Sequence, residues 1–182
     1  NAVIANSTGA VTASNTATTA QAGTMSALDT AVVYNVSGTA AEIVAASADA
    51  RNEAVNITIT DDATIAQATT AENASNSGTV TVATITDTAA NITASTNAVI
   101  ANSTGAVTAS NTATVAQATT IDALAKAVVF AVSDTAAAIA ASSSDALDEA
   151  TSVTASDTAT VAQATTVDAF ATAVVFAVSD TA

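Results

Sequence analysis

Apolar and polar residues alternate in short stretches of the chain, and each stretch ends at a similar small polar motif. The triplets Tyr34-Asn35-Val36, Ile57-Thr58-Ile59 and Phe130-Ala131-Val132 all read apolar, variable, apolar. A period of two is typical of a β-strand with one buried face. We therefore predict a short strand before each motif, with its larger side chains facing inwards.

After each motif the spacing of apolar residues lengthens to three or four positions, which favours a short helix. One such stripe comprises Val115, Ala118, Ile121 and Leu124, and another comprises Ala136, Ile139, Ser143 and Leu147. Thr114 with Gln117, and Thr160 with Gln163, match the capping box that begins many helices. Alanine, which is abundant here, is the best helix former.

The motif itself, [Ser/Thr]-[Asp/Asn/Gly]-[Thr/Asp]-Ala, occurs eight times at spacings of 23 to 26 residues. Its second positions are Asn15, Gly38, Asp61, Asp87, Asn111, Asp134, Asp157 and Asp180. In addition, residues 1–22 recur at 97–118 with a single difference, Thr19 against Val115. The chain is therefore built from one unit used many times.

A period between 20 and 50 residues is typical of solenoids and propellers, and a propeller blade needs about 40 residues. The sequence therefore predicts one continuous solenoid over residues 1–182, with eight coils of a parallel strand plus a short helix or helical turn. This is an α/β solenoid. An all-β right-handed parallel β-helix is the alternative, because Thr and Val also suit strands.

The formal net charge is −14, with only two basic residues, and the chain contains no Cys, His, Pro or Trp. Such a charge disfavours nucleic acid and anionic membrane surfaces as partners. No apolar run approaches the about 18 residues of a membrane span. Without His or Cys, and with no Gly-rich phosphate loop, we expect no enzyme.

The acidic members of the motif column are the clearest candidates for chemistry. They are Asp61, Asp87, Asp134, Asp157 and Asp180. Asp, Asn and Gly at such a position suit helix caps and turns. Stacked carboxylates would also attract a divalent cation, so a weak calcium ladder is the alternative. We expect no other cofactor.

Six Asn-x-Ser/Thr sequons occur, which makes a surface glycoprotein a hypothesis. They begin at Asn6, Asn35, Asn56, Asn73, Asn91 and Asn102. Asn35 and Asn56 fall on outward positions of predicted strands, where a glycan would point into solvent. These two are therefore our glycosylation candidates.

Two segments carry a family resemblance. Val132 to Ile139 reads VSDTAAAI and Ile85 to Ile92 reads ITDTAANI. They resemble Asp-Thr-Ala-Ala-Asn-Ile repeats of very large secreted and cell-surface proteins of bacteria, including cyanobacteria. The resemblance implies surface layers, adhesin stalks or extracellular fibres, and no defined activity.

Together these features predict a structural protein, extracellular or at the cell surface, in which coils stack on one another. Exposed strand edges at both ends favour end-to-end or lateral assembly of copies of the chain. We expect the chain to be a segment of a longer repetitive protein or a processed product. The alternative is an adhesin stalk or a calcium-dependent surface-binding module.

Overall fold

The structure, a computed structural model, describes residues 7–143 and 145–179. These residues form ten strands and ten helices. The strands are β1 (Val11–Thr12), β2 (Val32–Val33), β3 (Val36–Gly38), β4 (Ile57–Ala63), β5 (Val80–Asp87), β6 (Val107–Ala109), β7 (Val128–Val129), β8 (Val132–Asp134), β9 (Val153–Ala159) and β10 (Val174–Val178). The helices are α1 (Thr19–Ser26), α2 (Ala40–Ala45), α3 (Ala48–Asn52), α4 (Ile65–Glu72), α5 (Ala89–Thr93), α6 (Asn97–Ala101), α7 (Val115–Asp122), α8 (Ala136–Ala141), α9 (Asp145–Asp148) and α10 (Val161–Val167).

The chain divides into two compact units, residues 1–85 with 101–105, and residues 86–100 with 106–182. In the first unit β1 pairs with β2, β3 with β4, and β4 with β5. In the second unit β6 pairs with β7, β8 with β9, and β9 with β10. All six pairings are parallel.

The fold is therefore mixed α/β with parallel strands, in agreement with the α/β class that the sequence predicts. The all-β alternative is wrong, because helices follow the strands in both units. The helices form because a Thr cap and an Ala-rich run outweigh the strand preference of the Thr and Val residues among them. In the described part of the chain we find no helix with the length and hydrophobicity to cross a bilayer.

Two forms of the repeat alternate along the chain. Long-helix repeats contain one helix of seven or eight residues, and these helices are α1, α4, α7 and α10. Split-helix repeats contain two shorter helices, α2 with α3, α5 with α6, and α8 with α9. In long-helix repeats the capping threonine lies three residues after the motif column, as Thr64 follows Asp61. In split-helix repeats it follows the column directly, as Thr39 follows Gly38.

A second cap divides the helical segment of the split-helix repeats. Helix α2 ends with the C-cap residue Ala46, whose ψ of 152° is extended. Ser47 then caps α3, because its side chain accepts a hydrogen bond from the backbone N–H of Ala50. A serine inside an alanine run competes for backbone groups in this way. A later split-helix repeat is divided at the corresponding place. The predicted helical stripe Ala136, Ile139, Ser143 and Leu147 is therefore wrong, because Ser143 is exposed and lies between α8 and α9.

The core of each unit lies between the strands and the helices that follow them. Ile57 and Ile59 of β4 are 0% and 1% exposed, and Ile43 of α2 is 0% exposed. The inward aromatic positions are confirmed at Tyr34 and Phe130, each 2% exposed. Small and branched aliphatic side chains therefore fill most of the interior, together with the two buried aromatic rings.

The predicted strands around Tyr34 and Phe130 are interrupted. Tyr34 and Asn35 lie between β2 and β3, and Phe130 and Ala131 lie between β7 and β8. The reason is a change of partner, since β2 pairs with the preceding β1 whereas β3 pairs with the following β4. β7 and β8 divide their pairing in the same way between β6 and β9.

Candidate functional site

The first helix of each repeat is capped by a threonine of the same repeat. The Thr64 hydroxyl accepts a hydrogen bond from the Gln67 backbone N–H at 3.3 Å, and the Gln67 side-chain oxygen accepts one from the Thr64 N–H at 2.9 Å. The two boxes predicted from sequence, at Thr114 and Thr160, are both confirmed. The cap satisfies backbone N–H groups that have no partner inside the helix.

The motif column acts on a different helix, that of the preceding repeat. Asp61 accepts a hydrogen bond through Oδ1 from the backbone N–H of Ala40, the first residue of α2, at 2.7 Å. In the second unit, Asp157 accepts one from the N–H of Ala136, the first residue of α8, at 2.6 Å. The starts of α2 and α8 are thus held from two sides, by their own threonines and by the next repeat.

Asparagine performs the same role as aspartate. The Oδ1 atom of Asn111 accepts a hydrogen bond from the N–H of Ala89, which begins α5, at 2.8 Å. Asp134 accepts bonds from Val115 N–H at 3.0 Å and from Thr135 N–H at 2.8 Å, so its two oxygens join successive repeats. The position therefore requires a side chain of the length of Asp or Asn that carries an oxygen acceptor. A negative charge strengthens the attraction to the helix N-terminus.

Glu42 occupies the side-chain space at Gly38, where the column has no side chain. A Cβ atom added at Gly38 would lie 3.0 Å from Oε2 of Glu42 and 3.2 Å from Cγ2 of Thr19. That Glu42 carboxylate accepts hydrogen bonds from the Thr39 N–H at 2.8 Å and the Thr39 hydroxyl at 3.0 Å. These bonds favour the ionised form and lower the pKa of Glu42.

The proposed calcium ladder coincides with these caps. Asp61, Asp134 and Asp157 each accept a hydrogen bond from the first residue of a neighbouring helix. Asp87 accepts hydrogen bonds from the Thr88 N–H and from the Asn91 side chain. Across residues 7–143 and 145–179, no three or more acidic side chains converge as metal ligands would. Asp180 lies outside the described residues. Calcium binding stays a prediction.

The glycosylation candidates belong to a ladder of amides in the first unit. Asn35 Oδ1 accepts hydrogen bonds from the backbone N–H of Asn56 at 3.2 Å and from its Nδ2 at 2.9 Å. Asn56 Oδ1 accepts in turn from the Thr79 N–H at 2.8 Å. Both asparagines lie just outside strands rather than within them, which corrects their predicted placement. Asn35 is exposed, whereas Asn56 is half-buried.

Two shallow grooves lie beside the motif column, one in each unit. The first, of about 550 Å³, is lined by Ala13, Ser14, Asn15, Thr16, Ala17, Gln21, Thr24 and Met25. The second, of about 310 Å³, is lined by Thr108, Ala109, Ser110, Asn111, Thr112, Val129, Phe130, Ala131 and Thr151. Neither lining includes an acid, a base or a thiol, so the groups that general acid–base chemistry requires are not gathered in these grooves.

Comparison with known proteins gives no relative: no family model, no curated protein and no solved structure matches the chain. The resemblance to Asp-Thr-Ala-Ala-Asn-Ile repeats therefore stays a prediction.

The cap between repeats is the feature that the sequence did not reveal. The residue types in the column predict helix caps and turns, but they do not indicate which helix each residue caps. The signal that could have found it is that the motif column holds Asp, Asn or Gly, whereas the residue that caps the first helix of each repeat is always Thr. Two nearby positions with different residue preferences indicate two separate capping roles.

Proposed function

We propose that the chain is a non-catalytic structural protein whose repeats stack as an α/β solenoid and build an extracellular filament, fibre or layer. Copies of the chain are its main partners in this proposal. Its mechanism is mechanical, because each repeat stabilises the helix and the strand of the repeat beside it. In such an array stability is a sum of repeat terms and interface terms between neighbours.

The observation that carries the proposal is the hydrogen bond from a helix start to the next repeat. It recurs as Ala40 to Asp61 in the first unit, and as Ala89 to Asn111, Val115 to Asp134 and Ala136 to Asp157 in the second. The same contact joins long-helix to split-helix repeats in both orders. The polar side chains of the motif column therefore join neighbouring repeats.

Open strand edges are the surfaces by which copies would join. Among residues 7–143 and 145–179, β10 pairs only with β9, and β1 pairs only with β2. Val175 on β10 is 65% exposed. An unpaired edge with apolar side chains is a ready template for another strand. The acidic surface limits contact elsewhere, because copies with a net charge of −14 repel one another.

The test is electron microscopy and sedimentation of the purified chain at high concentration, with calcium and with a chelator. We expect filaments or large assemblies in both conditions. A chain that stays monomeric in both conditions would contradict self-assembly. Assemblies that dissolve in chelator would instead favour the alternative, a calcium-dependent surface module in which the acidic column binds metal.

A pair of variants locates the joining surface. Val175→Lys places a charge on the β10 edge, and we expect it to abolish or shorten the assemblies. Val161→Lys is the control, because Val161 is 55% exposed but lies on helix α10. Equal assembly by the two variants would show that the β10 edge is not used.

A further inference from the structure

The side-chain nitrogens of the sequon asparagines differ in how they are engaged, and this separates the sequons from one another. N-glycosylation replaces a hydrogen on Nδ2, so the nitrogen must be free to enter an enzyme's active site. Asn6 lies outside the described residues. The remaining five sequons begin at Asn35, Asn56, Asn73, Asn91 and Asn102.

Three of these nitrogens already donate to an acceptor within the fold. Asn56 Nδ2 donates to Asn35 at 2.9 Å, Asn91 Nδ2 donates to Asp87 at 2.7 Å, and Asn102 Nδ2 donates to the carboxylate of Glu72. The partner amide, Asn35, is held through its oxygen by two donors of the next repeat. Glycosylation at Asn56 or Asn102 would disturb a contact between parts of the chain that are distant in sequence, and glycosylation at Asn91 would disturb its bond to Asp87, four residues earlier. A glycan on Asn35 would be attached to the same amide group that accepts the two hydrogen bonds from Asn56.

Asn73 is different. It caps the C-terminus of α4, its backbone N–H donates to Thr69 O at 2.9 Å, and its side chain is exposed. Among the described residues, no hydrogen bond engages its side-chain amide. Ser75, the hydroxyl residue of the sequon, is also exposed, and its N–H is held by Asn52 Oδ1 at 3.0 Å. The sequon thus lies at a helix end with a fixed backbone and a free acceptor nitrogen.

We propose that Asn73, in the sequon Asn73-Ala74-Ser75, is an N-glycosylation site of the folded chain; this rests on the extracellular placement proposed above. The donor is an oligosaccharide joined through pyrophosphate to a polyprenyl lipid. The Asn73 nitrogen forms a bond to C1 of the first sugar, and the bond from C1 to the pyrophosphate oxygen breaks. The lipid pyrophosphate leaves, and the proton lost from the amide passes to it or to water.

The experiment uses the folded full-length chain, a purified oligosaccharyltransferase that recognises Asn-x-Ser/Thr, and the lipid-linked donor. We expect peptide mapping to find a glycan on Asn73 and none on the other four described sequons, Asn35, Asn56, Asn91 and Asn102. Ser75→Ala should abolish the transfer while the circular dichroism of the chain is unchanged. Asn35→Gln, the matched control at an exposed sequon, should leave the transfer intact.

A synthetic peptide of residues 69–79 completes the test. Transfer to this peptide but not to the folded chain would overturn the proposal. Failure with both, or a glycan on Asn35, Asn56, Asn91 or Asn102 of the folded chain, would also overturn it. The reaction is carried out on dilute chain, so a failure here is distinguishable from a failure to form filaments.

Discussion

At the scale of single residues, an Asp or Asn side chain in the motif column caps a helix of another repeat, which its position in the sequence does not indicate. Asp61, Asn111 and Asp157 each lie near the end of a strand or just beyond it, yet the backbone N–H groups they accept from belong to the preceding repeat. The contact costs little entropy, because strand pairing already fixes the backbone on both sides. We therefore expect this hydrogen bond to contribute as much free energy as an ordinary helix cap, while it also links two repeats.

Removing this cap should weaken the second unit. We expect Asp157→Ala to lower the free energy of unfolding by about 1 kcal/mol, the usual loss for a helix cap. Asp157→Asn should retain most of the stability, because Asn111 makes the equivalent bond. Urea unfolding at constant m-value measures both variants. The control is Glu149→Ala, which removes an exposed carboxylate; a loss as large as that of Asp157→Ala would assign the effect to charge alone.

Tyr34 should make stability depend on pH. Its hydroxyl donates to Ala50 O at 3.0 Å, and burial raises the pKa of Tyr34 above 10.0, with a further contribution from the charges of Glu53 and Asp49. The folded chain then holds this proton more tightly than the unfolded chain. The contribution to stability is complete below pH 10.0 and is lost as the pH rises through the folded pKa.

The chain contains one tyrosine, so its ultraviolet absorbance reports this titration directly. Tyr34→Phe should remove the Tyr-linked decline in stability above pH 10.0, and Phe130 shows that a phenyl ring fits a similar buried position. An unfolding free energy that declines equally in both proteins would assign the pH dependence to other groups.

At the scale of elements, the helix is the part of the repeat that varies. Long-helix repeats have Gln at the third helical position, and split-helix repeats have a serine or threonine that starts a second helix, as Ser47 and Thr96 do. Helices of alternate form pack together within each unit, for example α2 on α4. Alternation of two shapes lets small side chains fill the space between successive helices.

The second cap should be worth as much as the first. We expect Ser47→Ala to lower the free energy of unfolding by about 1 kcal/mol and to speed hydrogen exchange at Ala50, even though alanine is the better helix former. The matched control is Thr70→Ala, since the Thr70 hydroxyl only bonds Ala66 O within its own helix. A Ser47→Ala variant as stable as the control would mean that α2 and α3 merge without cost.

At the scale of the whole molecule, stability should depend on which repeats are neighbours. Contacts at long range in sequence in this chain are mostly contacts to the adjacent repeat, as the strand registers show. The interfaces join unlike repeats, so the order of the repeats matters as well as their number.

Two deletions test this dependence, one that removes a pair of unlike repeats and one that removes a single repeat. Removing residues 113–158 joins Thr112 to Ala159, where the sequence Ala-Thr-Val-Ala-Gln-Ala-Thr-Thr continues unchanged, and the alternation is kept. We expect this variant to unfold cooperatively in urea. Removing residues 113–135 deletes half as many residues but places two split-helix repeats together, and we expect it to lose cooperativity. The reverse result, with only the smaller deletion cooperative, would contradict the role of alternation.

Much of the repeat was readable from the sequence. The period, the apolar alternation of Ile57 and Ile59, and the Thr-x-x-Gln boxes determine short strands and short helices in a fixed order. These are local properties, since they depend on side chains within a few residues of one another and on backbone preferences that need no distant partner. The excess of Asp and Glu over Lys and Arg, which is also a property of the sequence alone, determines the acidic surface.

Only the tertiary structure decided which neighbour each group serves. That Asp61 caps the helix beginning at Ala40, that β2 and β3 pair with different strands, and that the Asn56 side chain is engaged while that of Asn73 is exposed all depend on strand register. A shift of one residue would aim each side chain at the opposite face of the sheet. Register is set by packing of the core across repeats, so a pattern within a single repeat does not determine it.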